Sequence, residues 1–276
     1  MRIRATVAAV SGALALSALA VPAAHATGDS GTPYTLNVSF SQVTIAKAIK
    51  VGTTNEVSAT YSYTLTHGSD VNVTANDFYT DASLYKGSYD DPTAELYGDN
   101  PATCTATSAT TATCKGTVDI YPADGDLKNA WAGSWNVAAE AVAFNGQDQS
   151  NPDMGKVGYK DQSGLGSTLV QRYSKLTTDA GPEPVYKGKT LTVTGKLSRA
   201  SWEDHQYHGY ASQPVKLQFR KAGTTTYTTV KTVNADSYGN VKTTTTANYD
   251  GYWRLSFAGT STTPAVSAAG DYVDVR

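Results

Sequence analysis

The sequence predicts an all-β protein made of two antiparallel β-sandwich modules behind a short export signal. Three observations predict it. Hydrophobic residues make up 40% of the 276 and charged residues only 17%, which is too apolar for a disordered chain. The remainder is led by 39 Thr, and Tyr outnumbers Phe by 18 to 5. Such β-branched and aromatic side chains suit a pleated surface with one wet face, and few strong helix formers are left over. Finally, apolar and polar residues alternate in short runs separated by turn residues. The formal net charge of -2 offers no basic surplus for a phosphate backbone, so a dedicated nucleic-acid binder is excluded.

Residues 1–26 belong to targeting. Arg2 and Arg4 precede an apolar run at 7–21, and Ala24-His25-Ala26 places small residues around a cleavage site. This is the layout of a secretory signal peptide cut after Ala26, since the run is shorter than the roughly 18 residues a membrane span needs. Cleavage removes two arginines and no acid, so the net charge moves from -2 to -4. No second long apolar stretch follows, and the chain ends Val273-Asp274-Val275-Arg276 without a hydrophobic tail. The expectation is a freely secreted, extracellular protein with no membrane attachment after cleavage.

Two cysteines in an exported chain predict one disulfide, Cys104–Cys114. The flanks 103–107 and 112–118 read as the two strands of a hairpin with the thiols opposed. A redox or metal role would want a nearby His or a third Cys, and neither is present locally.

The first module is placed at 27–178. Residues 35–40 alternate Leu36, Val38 and Phe40 with polar neighbours. In 55–66 the sequence sets Val57, Ala59, Tyr61, Tyr63 and Leu65 on one face against Ser and Thr on the other. Residues 131–144, opening at Trp131, put Trp135, Val137, Ala139, Ala141 and Ala143 on one face; a helix is the alternative there, because Ala and Glu favour it. Residues 168–176 read as a closing strand, and 78–98 as a long irregular stretch. A joint at 179–184, Asp-Ala-Gly-Pro-Glu-Pro, should be extended and stiff, and it is placed as the linker.

The second module, 185–276, alternates more cleanly. Leu191, Val193 and Leu197 point one way in the first run, and Val215, Leu217 and Phe219 do so in the second. Residues 227–233 break parity, as a bulged strand does. Trp253, Leu255 and Phe257 then point inward, and Val273 and Val275 form the last strand. The segments Lys187-Gly-Lys-Thr-Leu-Thr-Val-Thr-Gly-Lys-Leu197, Gln213-Pro-Val-Lys-Leu-Gln-Phe-Arg220, the turn Asp236 to Gly239-Asn240, Asp250-Gly-Tyr-Trp-Arg254 and Phe257-Ala-Gly-Thr260 resemble the bacterial Ig-like domains of secreted actinobacterial proteins. The resemblance covers about residues 184–276 and implies an Ig-like sandwich. It carries no catalytic residues over, since such domains serve as spacers, binders and enzyme appendages. This copy departs from the pattern by inserting residues 199–212 between its first two strong strands.

That insertion holds the leading binding candidate: Trp202, Glu203, Asp204, His205, Tyr207, His208 and Tyr210. Joining adjacent strands, it should project as a loop at one end of the sandwich, where such folds carry binding residues. His205 and His208 with the neighbouring carboxylates are also zinc-type ligands lacking a third partner; the plain alternative is a solvated loop pinned by Trp202 and Tyr207. Asp119, Asp124 and Asp126 offer oxygen ligands for calcium, although Asp-rich turns also form for conformational reasons alone. Tyr79, Tyr85, Tyr89 and Tyr97 suit stacking on a sugar, or ordinary packing with the hydroxyl wet. There is no G-x-S-x-G, H-E-x-x-H, Walker or G-x-G-x-x-G motif. The reading is a non-enzymatic binding or spacer protein whose partner is an extracellular protein or a glycan, with no obligatory cofactor. The alternative is a secreted carbohydrate-active or hydrolytic enzyme with its site in the first module.

Overall fold

The computed structural model describes residues 31–276. The predicted signal peptide lies outside the described residues. The chain is all-β and forms two compact units. The first comprises residues up to Lys47 together with Ser58–Ile120 and Trp135–Thr168; the second comprises Ala48–Val57, Tyr121–Ser134 and Leu169–Arg276.

The first unit is a sandwich of two sheets. One carries Val38–Ile45, Val57–His67, Thr111–Ile120 and Thr103–Ala106 in that spatial order. The other runs Tyr34–Thr35, Gly158–Gln162, Gly133–Ala143, Phe78–Gly87 and Pro92–Leu96. Its Tyr34–Thr35 edge is parallel to Gly158–Gln162, where antiparallel pairing was expected throughout. Gly133–Ala143 is a strand despite its Ala and Glu content, because antiparallel partners flank it on both sides. Its inward residues Trp135, Val137, Ala139 and Ala141 are at most 2% exposed. The small alanines leave height for large rings in the same layer. Tyr61 and Tyr63 stack at 6.0 Å, and Phe40 meets Tyr63 edge-on at 5.7 Å.

The Cys104–Cys114 disulfide is present, between directly opposed residues of the hairpin Thr103–Ala106 and Thr111–Ile120. Residues 78–98 differ from expectation. They are two paired strands, Phe78–Gly87 and Pro92–Leu96, and not an irregular stretch. Both faces of Phe78–Gly87 are covered, so the alternation that would mark a strand is missing from its sequence.

The second unit is an Ig-like sandwich. Thr190–Ala200 is the centre of one sheet, between Asn240–Thr246 on one edge and the broken first strand, Ser174–Leu176 and Asp179–Gly181, on the other. The facing sheet runs Thr228–Asn234, Pro214–Lys221 and Gly251–Phe257, and ends with Val266–Ser267 and Asp271–Val273. Beyond the break the chain crosses over, and Val185 bridges in parallel to Val275. A first strand shared between both sheets is how this sandwich closes its open edge. Leu191, Val193, Leu197, Val215, Leu217 and Leu255 are fully buried in the interlayer, each contributing roughly 1.5–3 kcal/mol relative to exposure. The expected bulge is a register shift opposite Leu217 and Gln218.

Asp179–Gly181 is hydrogen-bonded sheet within the second unit, because Asp179, Ala180 and Gly181 pair with Thr194, Val193 and Thr192. That unit further recruits Ala48–Val51, paired in parallel with Ser167–Arg172, and the turn-rich stretch Tyr121–Ser134.

Candidate functional site

The insertion at 199–212 exposes residues 203–206 and buries Ser201 and Trp202. Tyr207–Gly209 folds back as a strand on the end of Thr190–Ala200, with Ala200 opposite Tyr207. Trp202 is 1% exposed, and its indole N–H donates to the Val51 carbonyl at 3.4 Å. Asn129 accepts the Trp202 backbone N–H at 3.0 Å and donates from its side chain to Ser201 at 3.0 Å and to the Glu203 carboxylate. The Asn129 backbone N–H closes the pair by donating to Glu203 at 2.9 Å. Loop and turn-rich stretch are thereby sewn together, which is why Trp202 and Glu203 are occupied.

His205 adopts a left-handed φ of 58°, and its Nε2 lies 3.2 Å from the Pro122 carbonyl. His208 Nε2 meets Asp204 at 2.5 Å, and the Ser201 hydroxyl and then His208 hold the Asp204 carboxyl down at about 2. The Lys175 ammonium sits 3.6 Å above the Tyr207 ring, and the Arg199 guanidinium 3.9 Å from the Tyr210 ring. The seven candidates thus share one segment but are anchored separately. His205 and His208 point to different partners. Among the described residues, no three of His, Cys, Asp and Glu gather closely enough to hold a metal ion.

Of the aspartate candidates, Asp119 lies in the strand Thr111–Ile120, and Asp124 and Asp126 lie at the turn that follows it. Asp119 accepts from the Asp99 N–H at 2.9 Å and the Thr117 hydroxyl at 3.0 Å. Asp126 accepts from the Tyr121 N–H at 2.7 Å, and Asp124 lies in the short 3-10 turn Pro122–Asp124. Trp131 does not begin a strand; it ends a second such turn, Asn129–Trp131, with the Lys128 ammonium 4.9 Å from its ring. Of the four expected sugar-stacking tyrosines, Tyr85 is buried against Tyr89 with ring centres 5.2 Å apart.

Sequence reading missed a carboxylate ladder in the first unit. Asp81, Glu140 and Asp161 are directly opposed on three adjacent strands, so their side chains leave one face of the sheet. Asp81 is 5% exposed; it accepts from the Tyr61 hydroxyl and, at 3.0 Å, from the Ala82 N–H. Tyr61 gets there over Gly116, where any side chain would strike its ring. Burial pushes the Asp81 carboxyl up to about 7, against the pull of the Tyr61 and Ala82 hydrogen bonds. Glu140 accepts from the Tyr159 hydroxyl at 3.0 Å, and burial raises it to about 6, with Asp161 and Glu95 adding like charge. Burial, followed by the same carboxylates, drives the Tyr89 and Tyr159 hydroxyls upward. An open cleft of about 220 Å³ lies alongside, lined by Thr32, Pro33, Thr35, Tyr159, Lys160 and Asp161. The signal available beforehand was Glu140, an isolated acid inside an otherwise apolar run.

No protein-family model matches the chain, and no curated protein matches it in sequence. Among solved structures it is similar to the adhesin InvE of Yersinia pseudotuberculosis, at 11% identity and a TM-score of 0.27, over 86% of this chain and 60% of that one. It is also similar to the D0-D1 domain of intimin, at 15% identity and a TM-score of 0.26, over 85% of this chain and 98% of that one. Among the described residues, no helix is long and apolar enough to cross a membrane.

Proposed function

We propose that the protein is an exported, non-enzymatic binding protein that works outside the cell. One observation carries the reading: Tyr173, Tyr186, Tyr238, Tyr249 and Tyr272 of the second unit expose between 41% and 73% of their surface. A spacer gains nothing from wet tyrosines, whereas Tyr is enriched where one protein surface recognises another molecule. The cross-strand disulfide supports export to an oxidising compartment. The partner is an extracellular protein or a glycan. The test is retention of the secreted protein on isolated cell-wall and plant glycans, with analysis of the products. Retention without new reducing ends supports the proposal; no retention on any surface, or release of sugars, overturns it.

A second reading, a glycan-cleaving enzyme with its site in the first unit, is favoured by the opposed carboxylates Asp81 and Glu140 and their raised proton affinities. Against it stands the burial of Asp81, whose Oδ1 already accepts from both Tyr61 and Ala82.

A further inference from the structure

The outer face of the second sheet of the Ig-like unit carries arginines and tyrosines in register. Arg220, Tyr252 and Tyr272 are directly opposed across three adjacent strands, and Gln218 with Arg254 forms the next row. Directly opposed residues share a face. The Arg220 guanidinium lies 4.0 Å from the Tyr252 ring centre and 5.3 Å from that of Tyr227. The Arg254 guanidinium lies 3.8 Å from Tyr227, and Tyr252 meets Tyr272 edge-on at 5.1 Å. Tyr227 extends to Gly270, where any side chain would run into its hydroxyl.

These two arginines have no carboxylate partner among the described residues. The neighbouring acids are committed elsewhere. Asp250 accepts from the Val275 N–H at 2.7 Å, Asp271 from the Ala180 N–H at 2.6 Å, and Asp274 holds Arg276 at 3.0 Å. Arg254 spends only its Nε, donating to Gln218 at 2.8 Å, so its two terminal nitrogens remain as an end-on fork fixed in orientation. Such a fork matches a carboxylate and is already ordered before any ligand arrives.

We propose that Arg220, Arg254, Tyr227, Tyr252 and Tyr272 form a binding site for a carboxylated polysaccharide. This rests on the binding role proposed above and names its ligand class. The tyrosine rings offer flat surfaces to the apolar face of a pyranose, and the guanidiniums take the acid group. The arginines stand one strand and two residues apart, about 4.8 Å across and about 6.7 Å along the sheet. A polymer with an acid on every ring can meet both charges at once. The positions between them are Gln218 and Tyr252, an amide and a flat ring that suit a sugar's hydroxyls and its apolar face.

The test is affinity electrophoresis and calorimetry of the secreted chain with polygalacturonate, compared with neutral dextran, dextran sulfate and polyglutamate. Polygalacturonate is expected to bind, dextran to do nothing, and added salt to weaken the complex. Combining Arg220→Gln with Arg254→Gln should weaken binding at least about tenfold, and Arg254→Lys, which keeps the charge and loses the fork, several-fold. Should the double variant not fold, Tyr272→Ala decides, since that side chain is 41% exposed and its loss leaves the core intact. No binding of polygalacturonate, undiminished binding by the variants, or preference for dextran sulfate or polyglutamate overturns the site. Envelope retention that survives the double variant refutes this site and leaves the binding role standing. Absence of retention in the unmodified protein refutes the binding role itself.

Discussion

At the scale of single residues, Asp81 is the most consequential side chain in the first unit. Its carboxyl is pushed up to about 7 and that of Glu140 to about 6, so the folded protein holds protons that the unfolded chain has already released. Where the folded state binds more protons, stability falls as pH rises, here from about 4 to about 7. The melting temperature should therefore be higher near pH 5 than near pH 7.5. Asp81→Asn keeps an acceptor for Tyr61 and the Ala82 N–H and removes the buried charge. The variant should melt several degrees higher than the parent at neutral pH, with a flatter pH profile. Thermal melts across that range check this, and identical slopes for parent and variant would show that Asp81 is ionised without cost. Exposed acids such as Asp204 work in the opposite sense, because hydrogen bonds lower them and add stability only once they are ionised.

At the scale of elements, the hairpin Thr103–Ala106 and Thr111–Ile120 shows a short edge strand being held by a covalent tie. Closing so small a ring restricts the unfolded chain by about 2–3 kcal/mol in the loop-entropy model. Replacing both cysteines with serine, or reducing the bond, should lower the melting temperature by several degrees without changing the strand content seen by circular dichroism. An unchanged melt would mean that the Thr107, Ser108 and Thr111 bonds across the turn hold the register unaided. Strands of this kind were readable beforehand where only one face is buried. Val57–His67, Thr190–Ala200 and Gly251–Phe257 keep a two-residue rhythm because their other face is wet. Phe78–Gly87 is covered on both faces, so its rhythm is lost and Asp81 within it resembles a loop residue. The carboxylate ladder was hidden for a further reason: it exists only through register between strands distant in sequence, and alternation specifies a face without specifying a neighbour.

At the scale of the whole molecule, a linear scan for composition breaks cannot find a unit assembled from three separate stretches. The prolines at 182 and 184 do mark a real event, the crossing of the first strand between sheets, but that crossing lies inside the second unit. The core of this unit and its recruited stretches should separate experimentally. Every buried residue of its main apolar cluster falls between Ala180 and Val273, so a chain of residues 174–276 contains the whole interlayer. That shortened chain should melt cooperatively. It lacks Val51 and Asn129, however, which hold the Trp202 indole and backbone, and Pro122, which meets His205. With Trp253 replaced by Phe, and Trp131 and Trp135 also replaced in the full chain, Trp202 emission should shift to the red and become open to quenching in the short chain, while staying blue and protected in the full one. If the short chain keeps a blue, protected Trp202, the insertion orders itself and the Asn129 bonds are incidental. If the short chain does not melt cooperatively at all, the recruited stretches are part of the core and not an addition to it.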